Sequence, residues 1–199
     1  MTLYKVFYDV LADLADLFDA EKRIGGHETA RELRAIIAKV HTPLLPANQV
    51  MSETINTALS INPLPIAAKI AKVMPLIDWH SSNMVDGRIR PEISNHLATA
   101  ELVGPDGMIY SEHVRVGLFA QSANLNYVTR KHAAEETFIM IGGQAYWQVE
   151  DEEPALCKTG DMIFHPSNVP HATVTTDQPC IAAWRWTGDI GYDQFTLTG

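Results

Sequence analysis

The sequence predicts a mainly β protein with an α-helical N-terminal part: a helical unit over 1–78, then a small antiparallel barrel over 79–199. Three observations carry this. Up to about residue 75, apolar side chains recur at spacings of three and four, the period of a helix face. From about His96 that period is gone, replaced by short segments rich in β-branched and aromatic residues. Gly- and Pro-containing turn signals separate those segments at near-regular intervals, the pattern of a barrel or double-sheet roll.

Leu3, Phe7, Val10, Leu11, Leu14, Leu17 and Phe18 give residues 2–20 one apolar face, with Gly25-Gly26 read as the helix stop. Leu33, Ile36, Ile37 and Val40 repeat the pattern over 28–40, and Pro43 and Pro46 break it. Ser52 can cap a third helix to about Leu59, and Pro65 can start a fourth over Ile66–Val73. Asp78–Arg90 is polar and reads as a loop. The strand-like segments are HLATAELVG, EHVRVGLFAQS, NLNYVTRKH, ETFIMIGG, QAYWQVED, GDMIFHP, HATVTT and CIAAWRWTG. Gly142-Gly143 is taken as a turn between the fourth and fifth of them.

Composition excludes several functions. A net charge of -9 lacks the basic footprint that a nucleic-acid groove or an anionic membrane surface requires. No apolar run approaches the roughly 20 residues of a membrane span. The N-terminus is interrupted by Lys5, Asp9, Asp13 and Asp16 and has no signal-peptide pattern, so a cytoplasmic location is expected. Cys157 and Cys180 are read as free buried thiols. The sequence leaves room for a homodimer without specifying one.

The chemistry concentrates between His132 and His171. His132 and Glu136 stand four apart in a run expected to be extended, so both would point to one face. His171 follows the turn at Gly160-Asp161 and a Pro-rich bend. Two imidazoles and a carboxylate converging from two strands would make a three-ligand metal site with open positions. The plainer reading is a hydrogen-bonded histidine on a strand. Against it, Glu136 lies in the apolar run EETFIMI, where an unpaired buried carboxylate is very costly.

These residues resemble the cupin superfamily. Its first motif is a Gly, a His-x-His-x(3)-Glu run and a later Gly; its second is Gly-Asp-x(4)-Pro followed by a His. The chain has His132-x(3)-Glu136-x(5)-Gly142, then Gly160-Asp161, Pro166, Pro170 and His171. The resemblance covers about residues 110–190 and implies a double-stranded β-helix barrel with one divalent metal inside. Arg130 stands where the first His of the pair belongs, and a guanidinium has no lone pair for a metal. That leaves His132, Glu136 and His171 as ligands. Arg130 is then either a clamp for a substrate carboxylate or a rim charge paired with Glu135 or Glu150.

A closer resemblance lies in AELVGPDGMIY, VRVGLF, HAAEETF, GGQAYW, FHPSNVPHAT and WTGDI. Together they look like the DddQ-type dimethylsulfoniopropionate lyases and lyase-like cupins. The resemblance implies cleavage of that sulfonium carboxylate to dimethyl sulfide and acrylate, with bound zinc, iron or manganese. It places metal ligands on His132, Glu136 and His171, a pocket tyrosine on Tyr127 and a pocket tryptophan on Trp186. A family tyrosine two residues after the ligating Glu, a proposed base, is Phe138 here, and the family His two residues before the first ligand is Arg130. Tyr127 is then the catalytic candidate, and Arg130, Phe138 and Trp186 are the substrate-binding candidates. Trp147, Trp184, Trp186 and Tyr146 are either cation-binding aromatics or barrel core. His165 is read as a supporting or structural residue outside the ligand pattern. Two other readings stay open: a metalloenzyme for a different small carboxylate, including ferrous dioxygen chemistry, and a non-catalytic ligand-binding cupin.

Overall fold

The computed structural model describes residues 2–39, 47–81 and 89–197. Among these, the helices α1 (Leu3–Asp19), α2 (Ile24–Ile37), α3 (Ser52–Ala58) and α4 (Ile66–Val73) precede most of the sheet, and a 3₁₀ turn at Met74–Leu76 follows α4. Val40 at the end of the expected second helix, the expected break at Pro43 and Pro46, and most of the expected loop after Asp78 lie outside the described residues. At the start of that loop, β1 (His80–Ser81) already pairs with the sheet. A single-turn helix α5 (Pro91–Ser94) then leads into β2 (Leu97–Gly104), β3 (Ile109–Tyr110) and β4 (Arg115–Gln121). The remaining strands are β5 (Asn126–Lys131), β6 (Glu135–Val149), β7 (Ala155–Lys158), β8 (Met162–His165), β9 (His171–Val174), β10 (Cys180–Thr187) and β11 (Thr196–Leu197).

The strands form one rolled sheet in the order β1-β2-β4-β10-β6-β9-β5-β11, with β3 on β2 and with β7 and β8 on β6. One face is covered by the helices: Phe7, Leu11, Leu14, Leu33, Ile55 and Ile70 share a core with Leu118, Ile139, Ile141 and Ile181. The other face closes on itself around Phe119, Tyr127, Phe138, Trp147, Trp184 and Trp186. Alternation makes the two cores possible. Ile139 and Ile141 point to the helices while Phe138 and Met140 point inward.

Two sequence expectations are corrected here. Gly25-Gly26 does not stop α1, which ends at Asp19 with Ala20 as its right-handed C-cap. Both glycines lie in the first turn of α2, where a Cβ on Gly25 would stand 2.4 Å from Thr187 Oγ1 and 2.7 Å from Arg185 Nη1. The glycine permits close docking of α2 on β10. Gly142-Gly143 is likewise not a turn, because β6 runs unbroken from Glu135 to Val149. Gly143 has φ of +75°, and a Cβ there would meet Pro179 O at 2.1 Å. The strand bends at this point: its first half pairs with β10 and β8, its second half with β9 and β7. The bend also exchanges inside for outside, so that Phe138 and Trp147, of opposite parity, both face inward.

The helices are also tied to the sheet by charge. Arg185, fully buried on β10, donates from Nε to Glu21 Oε2 at 2.8 Å, and Thr137 Oγ1 donates to Glu21 Oε1 at 2.7 Å. Both cysteines are free, as expected, but only Cys180 is buried; Cys157 is half-exposed. Burial pushes the Cys180 thiol up to about 12. Only the thiolate reacts, so native protein treated with iodoacetamide at pH 8 should leave Cys180 unmodified, with labelling confined to Cys157. Peptide mapping by mass spectrometry checks this, and Cys180 should label once the chain is unfolded.

Candidate metal centre

The ligand candidates come from three places on the barrel's inner face. His132 is not in a strand, which departs from the extended run expected from its spacing. It sits in the bend between β5 and β6, and its Nδ1 donates to Ala134 O at 3.0 Å. Glu136 is near the start of β6, and His171 opens β9. The same face is reached through a bend rather than through strand alternation. Ligand atoms of His132, Glu136 and His171 all lie within 4.8 Å of one another, and all three residues are buried.

The hydrogen bonds define which atoms are available. A carbonyl oxygen can only accept, so Nδ1 of His132 and Nδ1 of His171, 3.0 Å from Val169 O, are both N–H donors. That turns both Nε2 atoms toward Glu136 Oε2, at 3.2 and 3.5 Å. Burial, joined by the neighbouring His165 and Arg130, holds the His171 pKa well below the usual histidine range. Its Nε2 therefore carries a lone pair and has no hydrogen-bond partner among the described residues. Burial alone would raise Glu136, but the neighbouring His132 and His165 outweigh it and keep the carboxyl well below its ordinary value. An ionised carboxylate facing a bare imidazole nitrogen is an electron-rich pair, which suits a cation. Backbone carbonyls holding the far nitrogens are the usual support for metal-ligating histidines.

The other predicted residues surround this group. Arg130 is 3% exposed, which removes the rim-charge reading. It stacks on the Tyr127 ring with Cζ 3.9 Å from the centroid and donates to Thr173 Oγ1 at 3.2 Å. Neither Glu135 nor Glu150 pairs with it, and its Nη1 has no partner among the described residues. Burial lowers its pKa against the opposite pull of Tyr127 and Glu136. Tyr127 and Arg130 have opposite parity yet share the cavity, because the β5–β9 register shifts between them. Phe138 lines the same cavity beside Phe119, with centroids 5.6 Å apart. Trp184 and Trp186 share a face, as their parity predicts, and Trp147 is buried nearby, whereas Tyr146 is exposed. The cavity, measured as space open to the centre of a water molecule, is about 20 Å³, room for little more than a single water.

Two further residues belong here. Phe195, from the segment before β11, stacks on His132 at 6.0 Å between centroids. His165 Nδ1 lies 2.7 Å from Glu136 Oε2. Nothing local marks Phe195. For His165 the one available signal is parity: it shares a face with Ile163, which packs into the inner core. That signal aims the side chain inward but does not name its partner.

The family model for dimethylsulfoniopropionate lyase matches residues 29–182. The chain belongs to the dimethylsulfoniopropionate lyase family. Within the family, it is 33% identical to the dimethylsulfoniopropionate lyase DddQ of Ruegeria pomeroyi over 103 residues. That match covers 52% of this chain and 51% of the relative, about half the length of each. A solved structure of DddQ from the same organism superposes with a TM-score of 0.71 at 24% identity, covering 98% of this chain and 96% of that one. A crystal structure reported with the lyases RdDddP and RnDddQII gives 0.71 at 20% identity over the whole of both chains. The fold, helices followed by a rolled β sheet, is therefore the one these solved lyases share, and it matches the fold class expected from the sequence. No helix among the described residues is long and apolar enough to cross a membrane.

Proposed function

We propose that this chain is a metal-dependent carbon–sulfur lyase that eliminates dimethyl sulfide from dimethylsulfoniopropionate, or a close analogue, and leaves acrylate. The observation that carries the reading is the bare His171 Nε2 set 3.5 Å from the ionised Glu136, with His132 Nε2 at 3.2 Å from the same oxygen. A divalent cation held by His132, Glu136 and His171 (zinc, iron or manganese) would supply Lewis acidity for charge that builds on the substrate carboxylate.

The chain's own residues account for the rest. Arg130, buried with an unpartnered Nη1, binds the substrate carboxylate and loses its desolvation penalty by doing so. Tyr127, stacked beneath the guanidinium at the cavity wall, takes the proton from the carbon next to that carboxylate. The carbon–hydrogen electrons form the new double bond, and the carbon–sulfur electrons leave with dimethyl sulfide. The cavity widens to admit the substrate, and the faces of Trp184, Phe138 and Phe119 then receive the sulfonium, each contributing about 0.5–2 kcal/mol. Free cysteines support placing the protein in the cytoplasm.

Metal-loaded protein given dimethylsulfoniopropionate should release dimethyl sulfide into the headspace, measured by gas chromatography. Tyr127→Phe should lower kcat by about 100-fold or more. Arg130→Met should act chiefly on KM. One observation favours a second reading: Phe138 has no proton to exchange where the family has a tyrosine. In that reading the same ligands and Arg130 serve a different small carboxylate. Oxygen uptake requiring ferrous iron, with no dimethyl sulfide formed, would select it.

A further inference from the structure

His165 lies outside both ligand motifs, yet β8 pairs with β6 so that His165 stands directly across from Glu136. It is fully buried, and its ring lies 3.8 Å from that of His171, 11° from parallel. A carboxylate that ligates a metal carries no proton and only accepts, so the 2.7 Å contact makes His165 Nδ1 the donor to Glu136 Oε2. On the other oxygen, the Trp186 indole N–H donates to Oε1 at 2.7 Å. The shortest contact on each carboxylate oxygen is thus an N–H from a different strand, His165 on β8 and Trp186 on β10. Turning the carboxylate about its own axis would break both bonds. Of the two oxygens, Oε2 is the one facing His132 Nε2 and His171 Nε2.

We infer that His165 and Trp186 are positioning residues that present Glu136 to the cation through one oxygen, while the His165 ring fixes the plane of His171. The arrangement keeps the carboxylate from closing on the ion with both oxygens and so leaves coordination positions open for substrate. It gives Trp186 a use for its N–H as well as its ring face. The inference rests on the metal-site reading above.

The test is cobalt(II) binding to the full chain, followed by calorimetry and by the visible absorption of the bound ion. His165→Phe keeps a ring against His171 and removes the donor. His165→Asn keeps an N–H near the position of Nδ1. Loss of an outer hydrogen bond to a metal ligand should weaken cobalt binding about 10–100-fold in His165→Phe, with His165→Asn within about 3-fold of wild type. The absorption bands should shift in the first variant and not in the second. Wild type that binds no cobalt would sink the metal reading itself. Wild type that binds while both variants match it in affinity and spectrum would overturn the inference alone. So would equal weakening of both variants with equal loss of melting temperature in the metal-free protein, which is what simple packing would produce.

Discussion

Replacing His171 with Ala should leave the protein without its metal. The side chain supplies a neutral imidazole whose Nε2 is bare and points at Glu136. Without it, His132 and Glu136 alone remain of the three-residue group. Two ligands hold a divalent ion far more weakly than three, so affinity should fall by more than the roughly 10–100-fold typical of losing an outer-sphere partner. Dialysed variant should show almost no zinc, iron or manganese by elemental analysis, and dimethyl sulfide release should drop to background. Chelation of the wild type should reproduce the loss, and re-addition of metal should reverse it in the wild type only. Stoichiometric metal retained by His171→Ala would refute the ligand set.

Glu21→Ala should destabilise the fold strongly although Glu21 lies outside both apolar cores. It leaves Arg185 buried at 0% side-chain exposure with its carboxylate partner gone, and Thr137 Oγ1 loses its acceptor. Breaking a buried ion pair from one side costs about 3–5 kcal/mol. For a chain of this size that lowers Tm by about 6–20 °C. Thermal unfolding of the metal-free variant checks it. Arg185 lies between Trp184 and Trp186 on β10 but points to the helices, so the site itself is untouched. Metal binding at low temperature should stay near wild type. A double change, Glu21→Met with Arg185→Leu, should recover much of the loss, since neither charge is then stranded. A drop in Tm below about 2 °C for Glu21→Ala would show that the pair contributes little.

The gathering of His132, Glu136 and His171 was legible because it follows from motif spacing, whatever local path the chain takes. The helices were legible for a similar reason: Phe7, Leu11 and Leu14 repeat with the helical period and form the face that packs. Alternation along β10 likewise placed Trp184 and Trp186 together. The helical and strand periodicities depend on neighbours within a few residues.

What only the tertiary structure decided lies where the alternation is interrupted or where the partner is distant. Tyr127 and Arg130 meet because of a register shift in β5, and Phe138 and Trp147 meet because β6 bends at Gly143. A pattern of residues does not say which strand takes the extra residue, since that is settled by pairing with β9 and β10. Gly25 looks like a helix stop in sequence but is a contact with Thr187, more than a hundred residues away. The partners of His165 and Glu21 have no local signal, because a hydrogen bond to Glu136 or Arg185 depends on strand order and not on sequence distance. The sequence determined which residues are candidate ligands; the rolled sheet decided how they meet and which donors hold them, because only closure of the barrel brings those strands side by side.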